Sequence, residues 1–190
     1  YAWWRQRMEH MSNYFDAIRI DHILGFFRIW SIPHKDIEGI LGTFVPSLPL
    51  GIHDFEAMGI YFEKDRFCNP FISEDTLRKF FPGNEAWVKE NILSNYQFKS
   101  SFNSQQKIAA YFKKNPEKAF LQQGLFDLIT DVILLEDEER TGYFHFRISM
   151  QLTESYKNLD HERQQKLSSL YNRYFFEMQD ELWNDVGQKK

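Results

Sequence analysis

A long amphipathic helix at the end of the chain sets the strongest requirement on the fold. From about residue 161 to 186, apolar side chains recur at intervals of three and four residues, and charged residues occupy the other positions. This spacing is typical of a helix with one buried face. The apolar face comprises Leu167, Leu170, Tyr171, Tyr174, Phe175, Met178 and Leu182. Such a face needs a core to pack against, and a chain that is 43% hydrophobic and 17% aromatic can supply one.

Two further elements are predicted near the start of the chain. A helix is expected over residues 3–15, where Trp4, Met8, Met11 and Phe15 share one face. Residues 17–21 predict a short strand, because apolar and charged side chains alternate along them. A second β-like run follows over residues 26–32 and ends at Pro33.

The middle of the chain changes from loop to helix. Residues 33–51 are rich in Gly and Pro, which predicts a long loop with short helical turns, and loops of this length are usually functional or cover a ligand. Helices are predicted after the capping residue Ser73 and over 85–95, 105–114 and 117–135, and a short extended segment over 144–150. The predicted order is a helix, a strand, a long and mostly helical excursion, and a final helix. This order resembles one β/α unit that has been interrupted.

Composition excludes several classes of function. The net charge of −4 comes without a basic block, so nucleic acid is not an expected partner. No apolar run approaches the roughly 18 residues that span a bilayer, so no membrane segment is predicted. A single cysteine, Cys68, excludes an internal disulfide and a multi-cysteine metal site. His53, Asp54 and Glu56 form a common surface arrangement, and we predict no metal site there. The start at Tyr1 indicates a piece of a longer protein.

The strongest chemical signal lies at residues 19–22, with the sequence Arg-Ile-Asp-His. An Arg-x-Asp pair at the end of a strand is costly to bury unless the two charges pair or face an open cavity. In parallel β/α barrels the carboxyl ends of the strands form the floor of the active site. Arg19 also favours the ionised form of Asp21, which a nucleophile requires. The spacing alone fits an ordinary buried ion pair equally well.

A longer segment carries a family resemblance. Residues 17–30, with the preceding Tyr-Ala-Trp-Trp stretch, resemble the region around the catalytic nucleophile in amylomaltases of glycoside hydrolase family 77. The remainder resembles the plant-type cytosolic branch of that family and its bacterial relatives, which carry a long insertion after the nucleophile strand. Residues 144–157 and 170–183 resemble the return from that insertion.

This resemblance implies a fold class. The chain is expected to be mainly α: a fragment of a (β/α)8 TIM barrel, one helix-strand-helix portion, with a largely helical insertion. Residues 1–33 would form the barrel segment with the nucleophile strand, residues 34–155 the insertion and loops on the active-site face, and residues 156–190 a barrel helix.

The resemblance also implies a function and its residues. The parent would be a cytoplasmic 4-alpha-glucanotransferase without a cofactor, acting on maltose, maltodextrins and alpha-glucans. Asp21 would be the nucleophile and Arg19 would orient and ionise it, while His22, Arg28 and Trp30 would bind substrate. His22 fits support of the strand end as well, and Arg28 and Trp30 fit ordinary packing. A helical module that binds a glycan or a protein partner, with Asp21 merely structural, and a hydrolytic relative are the alternatives. The oligomeric state is not indicated.

A retaining mechanism needs a second carboxyl group as acid and base. In the family this is a glutamate in a Gly-Glu-Asp-Leu-Gly-like motif, which the chain does not contain. Residues 135–138 lack the glycines of that motif and fall within the insertion. The isolated chain is therefore expected to be inactive.

Overall fold

The computed structural model describes residues 2–19, 21, 28–182 and 184, and this part of the chain is mainly helical. Its α-helices are α1 (Ala2–Ser12), α2 (Ile52–Ala57), α3 (Lys64–Cys68), α4 (Glu74–Phe80), α5 (Glu85–Asn91), α6 (Gln105–Lys114), α7 (Gln122–Ile129), α8 (Glu154–Lys157), α9 (His161–Asn172) and α10 (Met178–Leu182). A π-helical turn (Arg173–Glu177) joins α9 to α10, and 3-10 turns cover Gly39–Leu41, Pro116–Leu121 and Met150–Leu152. The predicted helix over 161–186 is thus formed from residue 161 to 182.

Short antiparallel strands connect these helices. They are β1 (Ile29–Ser31), β2 (Thr43–Val45), β3 (Leu50–Gly51), β4 (Leu93–Ser94), β5 (Gln97–Phe98), β6 (Leu134–Glu136) and β7 (Tyr143–Phe146). Strand β1 pairs with β2 and β4 with β5, while β7 lies between β3 and β6. The described residues are thus mainly helical, as predicted.

Local capping signals fix several helix ends where the sequence predicts them. Ser73 Oγ accepts a hydrogen bond from the Thr76 backbone N–H, and Thr76 Oγ1 accepts one from the Ser73 N–H, which together begin α4. Helix α6 begins after Ser104, which caps it, and ends before the Asn115-Pro116 pair. Asp160 caps α9 by accepting from the Arg163 N–H at 2.9 Å.

The described residues form two hydrophobic cores. The first packs the three-stranded sheet and α2 against the long C-terminal helix, with Phe55, Phe144, Phe146, Leu167 and Leu170 almost fully buried. Residues before and after the predicted domain boundary between residues 155 and 156 contribute to this core. The position of that boundary stays a prediction.

The second core is nested within the first along the chain. Its buried residues run from Ile72 to Leu128, while those of the first core lie before and after that segment. Helices α4, α5, α6 and α7 pack around Leu77, Val88, Ile108 and Leu125, each of which is completely buried. The long helical excursion is therefore a structural unit with its own apolar interior.

Some predicted elements differ from the structure: the helix predicted over 85–95 ends at Asn91 before β4, and the predicted loop over 33–51 contains β2 and β3. Ala17–Arg19 and Asp21 form no strand, because a strand needs a hydrogen-bonded neighbour and no described residue pairs with this run. The predicted helix over 117–135 is divided into a 3-10 turn, α7 and β6, because Leu134 and Leu135 pair with β7.

The helix predicted over residues 3–15 forms as α1, but its apolar face is only partly covered. Within the described chain none of its residues is buried, and Trp3 and Trp4 are 58% and 39% exposed. In the described residues, no helix has both the length and the apolar character required to cross a membrane.

Candidate active site and adjoining cleft

The predicted catalytic residues lie in the irregular chain between α1 and β1. Arg19 and Asp21 are both exposed, and His22 lies outside the described residues. Arg28 and Trp30 follow at the start of the β1–β2 hairpin and are partly buried. The predicted site residues thus differ in their surroundings: the Asp21 carboxylate is accessible, whereas Arg28 and Trp30 are held by packing.

Phe44 on β2 brings Arg28 and Trp30 together. The Arg28 guanidinium lies 3.9 Å from the centroid of the Phe44 ring, and the Trp30 ring meets Phe44 edge to face at 4.8 Å. Trp30 and Phe44 are direct partners across the hairpin, and Trp30 Nε1 donates to the Gly39 carbonyl at 2.8 Å. The sequence analysis missed Phe44, because nothing local indicates that residue 44 pairs with residue 30.

Gly42 sets the position of Trp30. A Cβ at residue 42 would lie 2.3 Å from Trp30 Nε1 and 2.8 Å from the Ser31 carbonyl oxygen. We expect Gly42→Ala to displace the indole, break its bond to Gly39 and lower the free energy of unfolding by about 1–2 kcal/mol. Chemical denaturation measures this loss. Gly39→Ala is the control, because its Cβ would make an ordinary contact 3.4 Å from Ile32; equal effects of the two changes would contradict the explanation.

Arg28 also lies near a buried chain of polar groups. Burial lowers the pKa of the Arg28 guanidinium, and interaction with Tyr174 on the π-helical turn opposes this shift. Burial shifts the pKa of Tyr174 in the opposite direction, upwards, so its phenol stays protonated. The Asp137 carboxylate only accepts, so His145 Nε2–H donates to Asp137 Oδ2 at 2.9 Å; Nδ1 of the neutral ring then accepts from the Tyr174 O–H at 2.8 Å. This chain joins the C-terminal helix to the turn between β6 and β7.

The position of His145 predicts a pH dependence of stability. Burial lowers the pKa of His145 from its ordinary 6.5, although the hydrogen bond with Asp137 opposes the change. The unfolded chain then binds this proton at higher pH than the folded chain. The stabilisation is complete above pH 6.5 and is lost as the pH falls through 6.5 towards the folded pKa. We expect the free energy of unfolding to decrease from pH 7 to pH 5 by denaturant titration, and to decrease less in His145→Gln. Equal slopes would contradict this role.

A cleft of about 910 Å³ lies where the two cores meet. One wall comes from residues 31–36 and 43–47, which follow the predicted site residues along the chain. The other walls come from the segments that connect the two cores, the β4–β5 hairpin and the turn after β6. The predicted functional loop over 33–51 therefore contributes to this cleft.

Glutamine side chains hold this loop on the second core. Gln105 Oε1 accepts from the backbone N–H groups of Ile37 and Glu38, both at 2.8 Å, and Gln105 itself is fully buried. The Glu38 carboxylate accepts from Gln105 Nε2 and Gln123 Nε2, both at 3.0 Å. The loop is thus fixed by partly buried and exposed hydrogen bonds over a sequence separation of more than 60 residues.

Comparison with known proteins identifies the family. The family model described as 4-alpha-glucanotransferase, glycoside hydrolase family 77, matches residues 1–190. The chain is 36% identical over its whole length to the 4-alpha-glucanotransferase DPE2 of rice, Oryza sativa subsp. japonica, and covers 21% of that protein. Over 40% of the chain it is 35% identical to a 4-alpha-glucanotransferase of Aquifex aeolicus, of which it covers 14%.

A chloroplastic/amyloplastic 4-alpha-glucanotransferase of Solanum tuberosum is 34% identical over 31% of the chain, which covers 11% of that protein. The chain thus spans about a fifth, or less, of the length of these relatives. No solved structure gives a significant match. Because the family match extends over every residue, the chain belongs to glycoside hydrolase family 77, the 4-alpha-glucanotransferases.

Proposed function

We propose that this chain is the nucleophile-bearing segment of a retaining 4-alpha-glucanotransferase. The parent enzyme transfers glucosyl or alpha-1,4-glucan units from maltose or maltodextrin to a glycan or glucose acceptor. The observation that carries the proposal is the family match over residues 1–190, which includes the Arg-Ile-Asp-His segment. The identity of 36% to the rice enzyme, which extends over the whole of this chain, supports it.

Asp21 is the nucleophile in this proposal. Its carboxylate attacks the anomeric carbon, the glycosidic C–O bond breaks, and the leaving oxygen takes a proton from a carboxylic acid in another part of the parent protein. An acceptor hydroxyl then attacks the glycosyl-enzyme, gives its proton to that same group and releases Asp21. The exposure of Asp21 supports the assignment, because an attacking carboxylate must be reachable by substrate. Arg19, two residues away, orients and ionises it.

His22, Arg28 and Trp30, which follow the nucleophile along the chain, contact the substrate in this proposal. His22 hydrogen-bonds a sugar hydroxyl in the donor subsite, and Arg28 and Trp30 line the active-site cleft of the parent. The contacts of Arg28 and Trp30 with Phe44 support this role, because side chains already fixed by packing lose little conformational entropy when a ligand binds.

The architecture follows the same proposal. Residues 1–33 and 156–190 belong to a (β/α)8 barrel in the cytoplasmic parent, and residues 34–155 are an insertion on its active-site face. The absence of fully buried residues among those described in α1 is consistent with a helix that packs on barrel parts outside this chain. The isolated chain is inactive, because it holds Asp21 without the partner acid.

The test uses the full-length parent with maltose and a glucan acceptor. Redistribution of chain lengths together with glucose release supports glucan transfer. Release of glucose without any longer product would instead assign water as the acceptor and make the parent a hydrolase. Absence of any product from either substrate would overturn the proposed activity.

A further inference from the structure

We propose that Gln105, the first residue of α6, is a positioning residue that holds the Trp30 side chain in the orientation with which it contacts substrate. Gln105 acts through Glu38 and the turn that follows it, so the helical excursion sets part of the proposed active site. The effect on catalysis rests on the proposed role of Trp30 as a substrate contact. The effect on the position of Trp30 depends only on contacts within this chain.

The turn at residues 39–42 holds the polar edge of the Trp30 indole. Trp30 Nε1 donates to the Gly39 carbonyl at 2.8 Å, and the absence of a side chain at Gly42 leaves room for the ring. The Gly42 N–H donates to the same carbonyl at 3.1 Å and closes the 3-10 turn. Because one carbonyl oxygen accepts from both the turn and the indole, a shift of the turn moves the indole as well.

Glu38, which immediately precedes this turn, is held by two glutamine side chains. Its backbone N–H donates to Gln105 Oε1 at 2.8 Å, and its carboxylate accepts from Gln105 Nε2 and Gln123 Nε2, each at 3.0 Å. The Ile37 N–H also donates to Gln105 Oε1 at 2.8 Å. The Gln105 carboxamide therefore binds both the backbone and the side chain of the residue next to Gly39.

The surroundings of Gln105 make these contacts specific. The residue is completely buried, and a buried carboxamide is costly unless its donor and its acceptor are both paired. A backbone N–H requires an acceptor and a carboxylate requires a donor, so the contacts with Glu38 fit one orientation of the carboxamide. Ser104 caps α6 just before Gln105, and the fully buried Ile108 anchors the helix in the second core. Gln105 is thus a rigid attachment point for the loop.

The two hydrophobic cores do not include this loop. As far as the chain is described, neither core contains a residue from 30 to 46. Hydrogen bonds from Gln106 and an ion pair with Glu138 hold residues 34 and 35, which lie further from the turn along the chain. The Gln105 carboxamide is therefore the buried contact closest to the turn, and its loss should displace Trp30 without disrupting either core.

The experiment uses the full-length parent with maltotriose as donor and acceptor. It measures the rate at which hydroxyl radicals modify Trp30, resolved by mass spectrometry, and the KM and kcat of transfer. Gln105→Glu keeps the size of the side chain but replaces the donor Nε2 with an oxygen that faces the Glu38 carboxylate. We expect faster modification of Trp30 and a KM raised about fivefold with kcat within about twofold, because a displaced Trp30 loses a binding contact.

Two further variants and a control accompany Gln105→Glu. Glu38→Ala removes the carboxylate without burying a new charge and should also speed the modification of Trp30. Gln105→Glu combined with Glu38→Gln exchanges donor and acceptor, so the contact forms again and both quantities should return towards those of the unmodified protein. Gln165→Glu is the matched control for the change in charge, because Gln165 is exposed and its amide contacts His161 on the same helix. It should leave both quantities unchanged.

A Trp30→Phe background tests whether Gln105 acts through the indole. Trp30→Phe removes Nε1, so adding Gln105→Glu should raise KM no further. Unchanged modification of Trp30 in Gln105→Glu and Glu38→Ala, no recovery in the exchanged pair, or a full additional rise of KM in the Trp30→Phe background would overturn the proposal. Faster modification of Trp30 in a parent without transfer activity would support the hold of Gln105 on Trp30 and overturn the proposed function.

Discussion

Asp21→Asn is expected to lower the rate of glucan transfer by the full-length protein about 10⁴-fold or more. An amide is a far weaker nucleophile than a carboxylate, so the glycosyl-enzyme cannot form, and loss of a nucleophile typically removes most of the rate enhancement. Chain-length analysis after incubation with maltose and a glucan acceptor measures the effect. Binding of maltodextrin should persist, because the side chain keeps its shape.

Asp16→Asn is the matched control for this experiment. Asp16 is exposed and lies in the same irregular segment after α1, five residues before Asp21. The control should retain the rate of the unmodified protein within about twofold. If Asp21→Asn transfers glucan at a rate close to that of the control, Asp21 is not the nucleophile and has only a structural role. That result would favour a helical module that binds a glycan or a protein partner.

Asp131→Ala is expected to have the largest effect on stability, a loss of about 3–4 kcal/mol in the free energy of unfolding. Asp131 is 5% exposed, and its Oδ1 accepts from the Glu154 N–H at 2.8 Å. Its Oδ2 accepts from the Ser155 N–H at 2.9 Å and from Ser155 Oγ at 3.1 Å. The carboxylate thus caps the first turn of α8 from a distant part of the chain, and alanine leaves the Glu154 and Ser155 N–H groups without an acceptor.

Urea denaturation of the chain measures this loss. Asp75→Ala is the control, because the Asp75 side chain is 89% exposed and its contact with Arg78 is a surface ion pair. The control should change the free energy of unfolding by less than about 0.5 kcal/mol. A similarly small effect of Asp131→Ala would mean that water replaces the carboxylate at the start of α8.

The sequence predicted elements whose signals are local. The helices after Ser73 and Ser104 and the long C-terminal helix follow capping residues and helical spacing, and each forms where expected. The strand over 17–21 and the helix over 117–135 failed as predictions of local structure. Whether these residues form a strand depends on pairing with distant segments, which a window of neighbouring residues does not contain.

The same distinction applies to the candidate site. The motif around Asp21 and the loop after Pro33 were recognisable from adjacent residues. Phe44 beneath Arg28 and Trp30 was not, because the pairing of β1 with β2 decides it. Asp36 and Tyr96 meet in one cleft although they are far apart in sequence, and no short pattern indicates that they lie close together.

The chain enters and leaves the second core at one point. The Phe71 N–H donates to Ser155 Oγ at 2.8 Å, Ser155 in turn donates to Asp131, and the Ile133 N–H donates to the Phe67 carbonyl at 3.0 Å. A unit whose two ends lie side by side can be inserted into a gene, or deleted from it, without rerouting the surrounding backbone. The excursion can therefore evolve as a separate module without altering the first core.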